Sequence, residues 1–210
     1  MRTIKVYTDY KSPYAYLAKD LAYELERDTG AVVDWLPYTL DIPAFLGSAT
    51  LDAAGDVLEA SRNAHQWRRV KYSYMDCRRE ANRRGLTVRG PRKIFDSALA
   101  NIGMLYAKRH GVLRGYHDRV FERFWRRELD IESADALAAV IGECGADTNG
   151  FAGYLAGEGR RALGGIMREA EAAGVFGVPS FLLEGGDLCW GREHLPRIRE
   201  ILLAARQAGA

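Results

Sequence analysis

The sequence predicts an α/β protein whose small sheet is assembled from the two ends of the chain and interrupted by a long all-helical insertion. Three observations carry this. The apolar run Ile4 to Thr8, a helical pattern after Pro13 and a second apolar run at Val32 to Pro37 form one β-α-β unit. From about Asp41 to Arg168 the apolar residues recur at helical spacing. Near the C-terminus, Phe181 to Glu184 and Leu188 to Trp190 flank Gly185-Gly186, the signal of a tight hairpin.

The elements follow in order. Strand Thr3 to Thr8 leads into a helix over Pro13 to Thr29, with apolar positions at Tyr14, Leu17, Ala18, Leu21, Ala22 and Leu25 and a stop at Gly30. Strand Val32 to Pro37 completes the unit. Helices are expected over Asp56 to Arg84, Phe95 to His110, Tyr116 to Glu128, Ala134 to Cys144, Gly150 to Ala156 and Arg160 to Ala173, with Gly85, Gly111, Gly115 and Gly145 as breaks. A last helix runs from Glu193 to Ala208. The expected division is residues 1–41 and 169–210 for the sheet domain and 42–168 for the insertion.

Composition excludes several classes. The 210 residues are 48% hydrophobic, enough for one substantial core or two small ones, and the net charge is +2. No apolar run reaches about 18 residues, and the N-terminus enters a strand without a secretory segment, so no membrane partner and a cytoplasmic location are expected. Cys77, Cys144 and Cys189 lie far apart with no C-x-x-C, which argues against a dithiol oxidoreductase and offers no metal-ligand spacing. All three read as buried small hydrophobes. His65, His110, His117 and His194 are scattered and suggest neither a metal nor a triad.

Candidate chemistry centres on two segments. Ser12 stands at the junction of the first strand and helix and is followed by Pro13, a combination that a helix start uses for capping. A hydroxyl there, among free amide hydrogens and the positive end of a helix, is equally placed to stabilise a thiolate. Val178-Pro179 lies between Gly174, Gly177 and the run from Ser180, where a proline cannot join a hydrogen-bond ladder. It is either an ordinary turn or a cis peptide that leaves the Val178 amide and carbonyl free for an extended peptide ligand.

Charge is uneven. Between Arg62 and Lys93 there are eleven Lys or Arg against Asp76 and Glu80, a local balance of +9. Interleaved with Trp67, Tyr72 and Tyr74, this stripe has three readings: a solvated helix face, a nucleic-acid surface, or a lure for a small anion such as glutathione or a carboxylate substrate. Tyr116, Phe121, Phe124 and Trp125, at helical spacing, read as core.

Asp9-x-x-Ser12-Pro13-Tyr14-x-Tyr16-Leu17-Ala18, the stretch Gly174 to Phe181 and Trp190-Gly191-Arg192-Glu193-His194-Leu195 together resemble the 2-hydroxychromene-2-carboxylate isomerase and kappa-class glutathione transferase family, within the DsbA-like thioredoxin superfamily. The resemblance implies a thioredoxin fold split by the helical insertion, glutathione as cofactor and Ser12 as the residue holding its thiolate. By position it assigns Pro13, Arg69, Asp76, Val178, Pro179, Arg192 and Glu193 to glutathione, Arg69 replacing a lysine of the relatives. Arg192 and Glu193 depart from the small polar residue and aspartate usual there, and Ala15 replaces a second serine. The implied partner is a small electrophilic or aromatic carboxylate substrate and not a nucleic acid. A homodimer is compatible with it. A transferase that consumes glutathione, and a non-catalytic binding module of the same fold, are the alternative readings.

Overall fold

The computed structural model describes residues 2–208. Its main sheet has four strands in the order β2, β1, β5, β6, with β1 at Thr3–Thr8, β2 at Val32–Pro37, β5 at Ser180–Leu182 and β6 at Leu188–Trp190. β1 and β2 are parallel, Val6 opposite Trp35, as the connecting helix α1 (Pro13–Thr29) requires. β1 runs antiparallel to β5, Val6 opposite Phe181, and β5 antiparallel to β6. The two ends of the chain thus share one sheet, and β1 lies between the N-terminal and C-terminal halves of it. This is the sheet that the thioredoxin expectation demands.

Between β2 and β5 lie α2 (Ile42–Leu46), a separate hairpin of β3 (Ala49–Leu51) and β4 (Val57–Ala60), α3 (Ala64–Arg83), α4 (Ala98–Arg109), α5 (Leu113–Arg126), α6 (Ala134–Glu143), α7 (Phe151–Ala156) and α8 (Glu158–Ala172). α9 (Leu195–Ala208) closes the chain after a 3-10 turn at Arg192–His194. The helical expectation for the insertion holds with local corrections. Residues 57–60 pair as a strand instead of opening a helix, and α3 begins at a capping box in which Asn63 and Gln66 exchange side-chain to backbone bonds of 2.9 Å each. The chain turns into α4 only after Ser97, not at Phe95. Gly115 lies inside α5 and breaks nothing. The final α-helix starts at Leu195, which leaves Glu193 in the 3-10 turn.

One buried cluster joins the sheet to the helical segment. It runs from Ile4, Val6 and Phe181 through Leu17 and Ile198 to Tyr116, Phe121, Phe124 and Trp125, the aromatic stripe expected as core. Phe121 stacks on Tyr16 of α1 at 5.5 Å and tilts against Tyr10 at 4.7 Å. Each such ring pair is worth about 0.5–1.5 kcal/mol beyond area burial, which fixes the start of α1 against α5. His117 is sealed in the same cluster, with Nδ1 3.0 Å from Tyr23 Oη, and burial lowers its pKa to about 3.

Candidate active site

Ser12 is the N-cap of α1. It has extended φ/ψ, its backbone N–H donates to Asp9 O at 3.0 Å, and its Oγ accepts the Ala15 N–H at 3.2 Å. Both roles offered for Ser12 are therefore compatible, because capping occupies an oxygen lone pair and leaves the hydroxyl proton free. The side chain is 4% exposed and faces a cavity of about 560 Å³. Pro13, at the first helical position, lines the same cavity.

A second space, a cleft of about 890 Å³, meets this cavity at Tyr14, Arg69, Ser73, Val178 and Trp190, which line both. Asp76, Pro179, Arg192 and Glu193 line the cleft. The residues singled out from the sequence are thus gathered from α1, α3, the β5 approach and the 3-10 turn around two adjoining spaces. Val178-Pro179 is a cis peptide, and among the described residues the Val178 N–H and C=O have no hydrogen-bond partner. Tyr14 Oη donates to Asp76 Oδ2 at 3.4 Å, and the Arg192 guanidinium lies 5.8 Å from the centre of the Tyr14 ring. Burial pushes the Tyr14 phenol up to about 12, so it stays a donor. Glu193 folds back over Gly191, whose φ is +107°; a Cβ at 191 would lie 2.3 Å from Glu193 Oε1.

The two spaces differ in charge. The cleft mixes Glu24, Asp76, Glu193 and Glu200 with Arg69, Arg192 and Arg199. The cavity has Lys11, Arg62, Arg69, Lys71, Arg78, Arg92, Lys93 and Arg127 and no acid among its lining residues. Its body is apolar, with Leu40, Phe45, Leu46, Val70, Ile94 and Phe95. Lys93 pairs with Glu132, but among the described residues Arg62, Arg69, Lys71, Arg78, Arg92 and Arg127 have no carboxylate within 4.0 Å. Arg62 Nε instead donates to Leu46 O at 3.0 Å and Arg127 Nε to Gly90 O at 2.9 Å. Burial, and then the neighbouring Arg92, Arg89 and Arg78, pull the Arg127 guanidinium below its ordinary pKa. Much of the basic stripe of the sequence is therefore concentrated on one concave wall.

The cysteines divide. Cys77 and Cys189 are buried, but Cys144, the C-cap of α6, is partly exposed, contrary to expectation, because it lies where that helix ends, with Arg119 at 3.5 Å. Burial pushes the Cys77 thiol up to about 12, which keeps it from serving as a nucleophile beside Tyr14. Sequence reasoning missed Lys11, whose burial no local pattern signals, and the partition formed by Tyr14 and Trp190. The Tyr14 position inside the Ser-Pro-Tyr motif was an available signal for the latter.

Fold and site together define a thioredoxin-type domain with a serine capping the first helix. The chain belongs to the DSBA-like thioredoxin domain family, which it matches over residues 3–203. Within it, the chain is 27% identical over 207 residues to the 2-hydroxychromene-2-carboxylate isomerase of Sphingobium xenophagum, covering 96% of this chain and 98% of the relative. It is 28% identical to the isomerase of that name from Pseudomonas putida, covering 91% of this chain and 90% of the relative. The resemblance read from the motifs thus extends over nearly the whole chain. A solved 2-hydroxychromene-2-carboxylate isomerase superposes with a TM-score of 0.74 at 23% identity, covering 99% of this chain and 98% of that one. The cytosolic disulfide reductase DsbM of Pseudomonas aeruginosa, solved with GSH, gives 0.61 at 17% identity and covers 99% and 98%. Among the described residues no helix is long and apolar enough to cross a membrane.

Proposed function

We propose that the protein is a glutathione-dependent isomerase of the 2-hydroxychromene-2-carboxylate type, acting in the cytoplasm, where the glutathione pool is kept reduced. The observation that carries this reading is the Ser12 hydroxyl, held by its cap bond with its proton unused, facing a purely cationic cavity that adjoins a mixed-charge cleft at the neighbouring Tyr14.

The cleft fits a tripeptide bearing two carboxylates and an ammonium. Arg69 and Arg192 suit the carboxylates, Asp76 and Glu193 suit the ammonium, and the unpaired N–H and C=O of Val178 offer an edge to an extended backbone beside Pro179. Glutathione, when bound, supplies a thiolate that adds reversibly to a conjugated carbon and so permits rotation about a former double bond. Ser12 donates its proton as a hydrogen bond to the sulfur, which favours the charged form and lowers the thiol pKa. Leu40, Phe45 and Phe95 cover the apolar body of the substrate and exclude water, while the unpaired arginines draw in its carboxylate.

The test is turnover of 2-hydroxychromene-2-carboxylate with and without glutathione. Conversion that requires glutathione without consuming it supports the isomerase. Stoichiometric loss of glutathione would make the protein a transferase, and binding without turnover would make it a binding module.

A further inference from the structure

Lys11 precedes Ser12 in the chain and lines the same cavity, yet only 7% of its surface is exposed, whereas Lys71 and Lys93 on the same wall are exposed. A lysine so withdrawn from water ordinarily has its three N–H donors taken by carboxylate or carbonyl oxygens. Among the described residues, Lys11 Nζ has no hydrogen-bond partner, and the nearest carboxylate oxygen, Asp9 Oδ2, is 3.9 Å away. Asp9 is itself engaged elsewhere: Oδ2 accepts the Leu40 N–H at 2.8 Å and Oδ1 the Lys11 N–H at 3.4 Å. The ammonium therefore stands at the cavity surface, loosely neutralised and with its donors unused. An anion entering the cavity can take these free donors as charge-assisted hydrogen bonds. The guanidiniums of Arg62 and Arg127, by contrast, already bond carbonyl oxygens of the surrounding backbone.

We propose that Lys11 forms an anion subsite in the cavity wall, where its ammonium holds the carboxylate of an apolar or aromatic substrate beside Ser12. The subsite deepens the isomerase reading and rests on it for the substrate's identity. Lys11 then decides which end of the substrate enters first, and the arginines on the outer wall act by long-range attraction.

Calorimetric titration of trans-cinnamate and of its neutral isostere cinnamamide, with glutathione titrated in parallel, tests this. The wild type is expected to prefer the carboxylate at least about tenfold. Lys11→Met is expected to abolish the preference and change glutathione affinity less than about twofold, and Lys11→Arg to restore part of the preference. Because Lys11→Met leaves Asp9 buried without its cation, the same titrations on Asp9→Asn with Lys11→Met serve if the single variant unfolds. A preference retained without Lys11, or no preference in the wild type, overturns the proposal. Loss of glutathione binding from the wild type, with a carboxylate preference still dependent on Lys11, would sink the isomerase reading and leave the subsite standing.

Discussion

The cleft along α1, α3 and the 3-10 turn carries acids and bases side by side, whereas the cavity that meets it at Tyr14 is lined by cations alone. The same helix, α3, serves both, since Arg69 and Ser73 lie on the partition while Asp76 faces only the cleft and Lys71 and Arg78 only the cavity. A zwitterion is recognised by paired opposite charges at fixed spacing; an anion with an apolar body needs only one sign of charge and a dry wall. Two chemically different ligands, one on each side of the shared wall, account for this contrast better than a single elongated one.

Ser12→Ala removes the cavity hydroxyl next to the shared wall and should have the largest effect. Turnover with glutathione should fall about 100-fold, the scale of removing a donor aimed at developing charge, while stability falls by about 1 kcal/mol for the lost cap. Activity within about threefold of wild type would reduce Ser12 to a cap. Arg69→Ala acts on both spaces and should weaken both glutathione and the anionic substrate, by about 1.5–3 kcal/mol where the lost contact is a charge-assisted hydrogen bond. Direct titration of each ligand measures this, and an effect on one alone would remove Arg69 from the partition.

Arg92→Ala and Arg127→Ala touch the cavity only. Each should raise KM for the anionic substrate about threefold, in line with roughly 0.2–1 kcal/mol for an exposed charge, without altering glutathione affinity, and high salt should erase the difference. An equal rise in the glutathione Kd would dissolve the contrast between the two spaces. The smallest expected change is none at all: with its thiol pKa raised to about 12, Cys77 forms thiolate only far above neutrality, so iodoacetamide at pH 8 should leave Cys77 unmodified by mass spectrometry.

The sheet and α1 were legible because their signals are local. Pro13 opens α1, Gly30 follows its last residue, and β1 and β2 appear at the bounds set by their apolar runs. The β3–β4 hairpin was not legible: Val57–Ala60 is exposed throughout, so burial imposes no alternation on it. Asn63 and Gln66, spaced as a capping box, did mark the true start of α3. In the candidate site, motifs marked Ser12, Val178-Pro179 and Arg192-Glu193, which the fold gathers around the two spaces. The site was opaque where only tertiary burial distinguishes one basic residue from another, as with Lys11 against Lys71.

Tyr14, Arg69, Ser73, Val178 and Trp190 form a party wall, and two occupants that share a wall cannot bind independently. Whatever factor glutathione imposes on the affinity of the anionic substrate, the substrate must impose on glutathione. Arg69 sets the sign of its own part of that exchange, because a guanidinium already neutralised from one side attracts less from the other. If glutathione and the anionic substrate bind as proposed, Arg69 makes them mild antagonists, and the occupied cleft helps the cavity to empty.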